Sequence, residues 1–198
     1  MQTVLGSFLF FVLLRTGTSL ECEVCDSMGT NCTGPMKTCE AGQDTCAIIL
    51  TENSLAGESI QTVMKQCDYS SVCSSPTTYM NMGQGRHVRT SITCCVGDAC
   101  KTTSPQIPPA MTPNSKRCPA CYSFSVSGCD TVTTECAGEE NYCLDMVQKI
   151  TYGKFVLTVN MKGCATENVC ETNEGEAVSG GIHTNIMKVS CTPALLAA

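Results

Sequence analysis

ITCCVGDACK occupies residues 92–101, and VSCTPALLAA occupies residues 189–198. Aligned on Cys94 and Cys191, the second stretch repeats the first with two cysteines lost: Thr192 stands where Cys95 stood, and Ala197 where Cys100 stood. Outward from these points the cysteines stay in step. The first half carries Cys22, Cys25, Cys32, Cys39, Cys46, Cys67, Cys73, Cys94, Cys95 and Cys100. The second carries Cys118, Cys121, Cys129, Cys136, Cys143, Cys164, Cys170 and Cys191. An offset of 96 carries the first two cysteines of one series onto the other, and 97 carries the next six, so one residue is inserted between Cys121 and Cys129. CEAGQDTC (39–46) falls on CAGEENYC (136–143). The chain is a tandem duplication. Two copies, rather than many, read as two domains and not a solenoid.

The joint loss is informative. Removing one half of a disulfide strands a reactive thiol in an oxidising compartment, and removing both halves does not. Cys95 is therefore expected to pair with Cys100. Ten cysteines in one half and eight in the other are both even, so each half can close its own set, five bridges and four. Their remaining partners stay open at this point, since eight cysteines alone allow roughly a hundred pairings.

Eighteen cysteines in 198 residues place the chain among disulfide scaffolds, which belong to oxidising compartments. VLGSFLFFVLL (4–14) is an apolar run too short to span a bilayer. Small residues follow at Gly17, Thr18 and Ser19, so residues 1–19 read as a signal peptide and the mature chain starts LECEVC. The expected location is secreted and extracellular. ALLAA at the C-terminus is far shorter than a lipid-anchor tail, so no membrane anchor is expected.

Removing Arg15 with the signal leaves 11 basic against 18 acidic residues, a net charge of −7. Taken over the whole chain, that field excludes a nucleic-acid partner, would repel anionic membranes and would attract a cationic protein, although modest negative charge also serves solubility alone. No G-x-S-x-G elbow or H-E-x-x-H is present, and the two histidines, His87 and His183, lie one place out of register between the copies. The expectation is a protein that is not an enzyme and holds no cofactor. CEVC (22–25) and CPAC (118–121) resemble zinc or redox pairs. In a secreted chain whose spacing continues into many more cysteines, disulfides take precedence and no metal is expected.

Each half holds about 80 residues and no tryptophan. A core that small is marginal without staples. Hairpin signals recur. KFVLTVNMKGC (154–164) alternates, with Phe155, Leu157, Val159 and Met161 on one face, after a turn at Gly153. AIILTENS and SIQTVMKQC flank a turn in the first copy, and MGQGRHVRTSITC and VSGGIHTNIMKVSC carry paired turn glycines. No helical pattern is expected. KTTSPQIPPAMTPNSKR (101–117) has four prolines and no alternation, which makes it a semi-rigid connection, either a spacer or an exposed contact strip. Met80 and Met82 read as core or as an adaptable contact. TENVCETNEGE (166–176) reads as a solvated loop or as an acidic face for a basic partner. Asn31 in NCT (31–33) is the single glycosylation sequon.

LECEVC, the spacing of the ten cysteines and CCVGDAC (94–100) resemble the three-finger domain of the lymphocyte-antigen and urokinase-receptor (LU) superfamily. The resemblance implies an all-β, disulfide-rich fold of two tandem three-finger domains: 20–101 with five disulfides, a Pro-rich linker at 102–117, and 118–198 with four. It implies the pairs Cys22–Cys46, Cys25–Cys32, Cys39–Cys67, Cys73–Cys94 and Cys95–Cys100. In the second copy it implies Cys118–Cys143, Cys121–Cys129, Cys136–Cys164 and Cys170–Cys191. The chain departs from the superfamily in two places: Lys101 replaces the usual Asn after the last cysteine, and the second copy lacks the closing bridge.

Two tandem domains, no anchor and a proline-rich connection are similar to the gamma-type phospholipase A2 inhibitors. That similarity implies non-covalent inhibition of a secreted phospholipase A2 and assembly into homo- or hetero-oligomers. It also implies a partner-binding strip at Pro105, Ile107, Pro108, Pro109, Met111 and Pro113. The alternative expectation is a secreted three-finger ligand or modulator of a cell-surface receptor or adhesion partner.

Overall fold

The computed structural model describes residues 19–74, 77–106, 111–125, 128–172, 174–179 and 182–196. Apart from Ser19, the expected signal segment lies outside the described residues.

Each copy forms three hairpins gathered at a base of cystines. In the first copy, β1 (Glu21–Glu23) pairs with β3 (Met36–Thr38), and β2 (Cys25–Met28) lies between them in sequence. The second hairpin is β4 (Thr45–Asn53) with β5 (Ile60–Asp68), and the third is β6 (Thr77–Asn81) with β7 (His87–Cys95). In the second copy the hairpins are β8 (Pro113–Ser123) with β9 (Val132–Ala137), β10 (Tyr142–Tyr152) with β11 (Phe155–Ala165), and β12 (Gly175–Ser179) with β13 (Ile182–Pro193). A short β14 (Leu195–Leu196) adds to β8. β-Branched residues and alternating polarity favour these extended elements, and turn glycines such as Gly83 (φ +74°) and Gly153 (φ +57°) reverse the chain where other residues would be strained.

All eighteen cysteines are in disulfides. The bonded pairs are Cys22–Cys46, Cys25–Cys32, Cys39–Cys67, Cys73–Cys94 and Cys95–Cys100, then Cys118–Cys143, Cys121–Cys129, Cys136–Cys164 and Cys170–Cys191. Two bridges stack at each base. Cys39 Sγ lies 3.3 Å from Cys22 Sγ, and Cys136 Sγ lies 3.5 Å from Cys118 Sγ. In the first copy these sulfurs lie within the apolar core, and in the second they form a cluster beside it. Ile48, Leu50 and Val63 pack on the first set, while Cys118, Cys136 and Cys164 form a buried cluster of their own.

Three features differ from the sequence expectation. Residues 113–117, expected in the linker, are the first part of β8. They gain partners on two sides, Pro113↔Ala137 and Arg117↔Glu135 on β9, and Leu195↔Arg117 on β14, and a proline is tolerated at a strand's first position. One helical turn, α1 (Glu167–Cys170), follows β11, and 3-10 turns occupy Ser70–Ser74 and Gly97–Lys101. The alternation expected along β11 fails. Val159, Asn160 and Met161 are all buried, whereas Phe155, Val156 and Leu157 are all exposed. The base of β11 is covered on both faces, and its tip, still paired with β10, extends past β8 and β6.

The reason is the junction between the copies. β6 of the first runs antiparallel to the end of β11 of the second, with Asn81 opposite Cys164 and Met80 opposite Ala165. One sheet therefore runs β12-β13-β10-β11-β6-β7-β4-β5-β2 through the molecule. Thr166 meets both polar groups of the Tyr79 backbone. Its hydroxyl accepts from the Tyr79 amide at 3.1 Å, and its own amide donates to the Tyr79 carbonyl at 3.1 Å. Asn168 Nδ2 donates to Thr77 O and Thr78 Oγ1, both at 3.0 Å. Met82, 2% exposed, packs into the second copy's core with Leu144, Met146, Val159 and Met161. It is core rather than contact surface.

Gly163 permits this approach, because a Cβ there would lie 1.9 Å from the Asn81 carbonyl oxygen. We expect Gly163→Ala to force the domains apart or to cost about 1–3 kcal/mol in overpacking, with every disulfide still formed. Small-angle scattering should show a larger radius of gyration, and limited proteolysis should cut faster between the domains. An unchanged scattering profile and unfolding midpoint would show that the junction does not depend on close approach at this glycine.

Candidate functional site: the connecting segment and its trough

The connecting segment is tied down at both ends. After Cys100, Thr103 donates its amide (3.1 Å) and its hydroxyl (2.8 Å) to the Ala99 carbonyl. Buried Ser91 on β7 donates its hydroxyl to the Gln106 carbonyl. At the far end the Gly138 amide donates to the Thr112 carbonyl at 2.8 Å, and the Met111 side chain lies over Gly138, whose missing Cβ would sit 2.8 Å from Met111 Sδ. Pro113 opens β8. Pro105 is thus fixed to the first domain, and Met111 and Pro113 to the second. Ile107, Pro108 and Pro109 lie outside the described residues.

Pro105 forms one wall of a trough on the first domain. A section of roughly 590 Å³ is lined by Thr103, Ser104 and Pro105 on one side and by Leu50, Lys65, Asn31 and Thr33 on the other. It shares Glu23, Lys65, Cys100 and Lys101 with a narrower section of roughly 250 Å³ floored by Met36, Ile48 and the Cys22–Cys46 bridge. The floor is apolar and the rim is charged. Lys65 Nζ lies 2.7 Å from Glu23 Oε2, and Lys101 Nζ lies 2.6 Å from Asp98 Oδ1. Lys65 holds the Glu23 carboxyl below its usual range, helped by the Gly34 amide. Such a trough suits an apolar side chain with polar groups at its edge. Sequence reasoning missed Lys65, Met36 and Ile48 because they come from separate strands. Asn31 is exposed beside the Cys25–Cys32 bridge, so a glycan there would border the trough.

Three other groupings have the residue types of a functional site. The sulfurs of Cys22, Cys39 and Cys67, and those of Cys118, Cys136 and Cys164, lie within 4.8 Å of one another. Each sulfur is already in a disulfide and has no thiolate to give a metal. Ser54, His87 and Glu52 resemble a hydrolytic triad, with Ser54 Oγ 3.0 Å from His87 Nδ1 and His87 Nε2 3.6 Å from Glu52 Oε1. The hydroxyl is buried, accepts from the His87 amide at 2.9 Å and donates to the Gly85 carbonyl at 2.9 Å. It clamps two hairpins and is not placed for attack. The acidic stretch is partly organised: Glu167 and Glu171 line a depression with Glu139 and Tyr142, and the Tyr142 hydroxyl donates to Glu167 Oε1 at 3.2 Å.

Glu140 is the buried carboxyl among the described residues. It is 1% exposed, and burial pushes its carboxyl up to about 7, against the pull of the Ala137 amide and of Arg89 from the first domain. Its role is visible in the other copy. The Ala137 amide donates to Glu140 Oε2 at 2.8 Å, as the Glu40 amide donates to Gln43 Oε1 at 2.9 Å. The offset of 97 maps Gln43 onto Glu140 and Cys67 onto Cys164. A neutral amide thus closes the same turn in the first domain, and Gln43 Nε2 also donates to the Cys67 carbonyl at 3.3 Å.

With its folded value raised from 4.5 to about 7, Glu140 holds its proton more tightly in the folded state. Stability is therefore lost as pH rises between these values, and the full loss, about 3 kcal/mol, is in place above the upper one. Glu140→Gln should match the parent near pH 4 and exceed it near pH 8 by up to about that amount, as read by denaturant unfolding with disulfides intact. Equal pH profiles for the two proteins would refute the assignment.

Paired three-finger units joined edge to edge place the chain in the class of tandem u-PAR/Ly-6-type proteins. A family model described as Phospholipase A2 inhibitor matches residues 20–102, and one described as u-PAR/Ly-6 domain matches residues 114–194. Phospholipase A2 inhibitor NAI of Notechis ater is 35% identical over 197 residues, 98% of this chain and 98% of that protein. A phospholipase A2 inhibitor gamma subunit of Gloydius brevicaudus siniticus is 35% identical over 94% of this chain and 96% of its own. The chain belongs to the phospholipase A2 inhibitor family. The crystal structure of mouse TEX101 aligns over 87% of this chain and 98% of that chain, at 16% identity and a TM-score of 0.34. Among the described residues, no helix is long and apolar enough to cross a membrane.

Proposed function

We propose that this protein is a secreted, non-enzymatic inhibitor that binds a secreted phospholipase A2 in a non-covalent complex. The observation that carries the reading is that relatives named as phospholipase A2 inhibitors match along nearly the whole chain, both domains included. The cystine-locked scaffold supports it, because a rigid binder loses little entropy on association. The non-enzymatic part is supported by the Ser54 hydroxyl, buried and committed to backbone, and by cysteines that are all disulfide-bonded. On this reading the contact strip is Pro105, Ile107, Pro108, Pro109, Met111 and Pro113, carried between two anchored ends. The domains are residues 20–101 and 113–198, the segment between them connects, and residues 1–19 are removed on export. Asn31 is the site for a glycan.

The test is a titration of the purified protein against a panel of secreted phospholipases A2. Hydrolysis of mixed micelles is the readout, with direct binding followed in parallel without substrate. We expect saturable inhibition near stoichiometric ratio with matching direct binding. Ile107→Ser with Met111→Ser should weaken both by about tenfold or more if the strip makes the contact. Absence of binding across a broad panel would sink the inhibitor reading. Full potency in the double variant would move the contact elsewhere.

A further inference from the structure

The tip of the β10–β11 hairpin carries the longest run of exposed large apolar residues among the described residues. Phe155 is 75% exposed, Val156 54% and Leu157 47%, three consecutive large apolar residues. Phe155 and Leu157 project to one side of the ribbon and Val156 to the other, because successive strand residues alternate. The tip is therefore apolar on both faces. A protein contact calls for one apolar face, whereas an element that is apolar all round suits immersion in an apolar medium.

The charges point the same way. Lys149 and Lys154 flank these residues, and no acidic residue occurs from Gln148 to Thr158, in a chain with a net charge of −6. Both lysines are exposed. Glu176 on β12 lies in the same cross-strand row as Lys149, with Asn185 between them donating its Nδ2 to Glu176 Oε1 at 3.1 Å. Apolar residues collared by lysine are complementary to a phospholipid surface, with the ammonium groups at the phosphates and the apolar side chains below them. A surface meant to imitate a phospholipid inside an enzyme's mouth would carry the opposite charge.

We propose that the Phe155–Leu157 fingertip, with Lys149 and Lys154, is a docking element for an anionic phospholipid surface. The geometry sets the depth. Among the described residues β11 pairs with β8 only at Asn160–Lys162 and with β6 only at Cys164–Ala165, so the outer edge of Phe155–Val159 has no strand beside it. Unpaired amides cannot enter the hydrocarbon core, and Lys154 stands at the turn. The hairpin therefore lies obliquely at the headgroup–acyl boundary, where phosphates and water satisfy its edge. Docking there would hold the protein where an enzyme acting on phospholipid aggregates works. Vesicle binding by the fingertip does not require phospholipase inhibition, and each can be lost without the other.

The experiment uses the purified mature protein, residues 20–198, and vesicles of phosphatidylcholine with or without phosphatidylglycerol. Cosedimentation should rise with phosphatidylglycerol. Because the chain contains no tryptophan, Phe155→Trp introduces a single indole, whose emission should shift to the blue and be quenched by brominated acyl chains. Phe155→Ser with Leu157→Ser should weaken partitioning by about tenfold or more with an unchanged thermal midpoint, because both side chains are exposed. Lys149→Glu with Lys154→Glu should remove the dependence on phosphatidylglycerol. The proposal is overturned if the parent does not sediment with vesicles or if the indole emission does not shift. It is also overturned if the serine variant partitions like the parent, or if that variant loses lipid-free binding to a phospholipase while vesicle partitioning persists. Should the serine variant fail to fold, quenching of the indole decides.

Discussion

Two stacked cystines at the base of each domain are the constraint on which everything else rests. In the first domain Cys22–Cys46 and Cys39–Cys67 touch through their sulfurs, and Cys118–Cys143 and Cys136–Cys164 do the same in the second. Hairpins of this length bury too little apolar surface to hold themselves together in water. Each bridge adds roughly 2–4 kcal/mol by restricting the unfolded chain, although such contributions do not sum. With the bases locked, the hairpins need only a thin apolar lining. Side chains are left over for exposed features such as the β11 tip, and the rigid base leaves the trough under the connecting segment in fixed shape.

Cysteine spacing made the fold legible because a cystine constrains sequence separation and spatial proximity together, and the duplication displays that constraint twice. Strand alternation was legible only where a strand has one covered face. On β11 it misled. The base at Val159, Asn160 and Met161 is sandwiched between β10, β8 and Met82, and the tip at Phe155 has no cover. Nothing in the local sequence separates these environments, because part of the cover comes from the other domain.

The candidate site was legible in part for the same reason. A proline-rich stretch announces a connection, and Pro105 can be named from it. The trough it borders cannot be, since Lys65, Met36 and Ile48 come from separate strands that meet only through the cystine base. The junction did leave a signal, in the comparison of the two copies with each other. At the offset of 97, Gly163 stands over Gln66, Thr166 over Tyr69, and Ser179 over Met82. Gly163, Thr166 and Met82, which join the domains, stand at positions where the copies disagree in size and polarity, while the cysteines themselves stay in step.

That disagreement also decides what the junction can do between molecules. β12 is the second copy's equivalent of β6, and β5 is the first copy's equivalent of β11. A head-to-tail contact between two molecules would set β12 of one against β5 of the next and repeat without closing, the arrangement that builds filaments. The internal junction works because Gly163 leaves room for the Asn81 carbonyl. At the matching place β5 carries Gln66, whose Cβ fills the space that Gly163 leaves open on β11. The edge-to-edge contact that makes one continuous sheet within the chain thus depends on a glycine that β5 lacks, so side-chain size at a single strand position disfavours its repetition between chains.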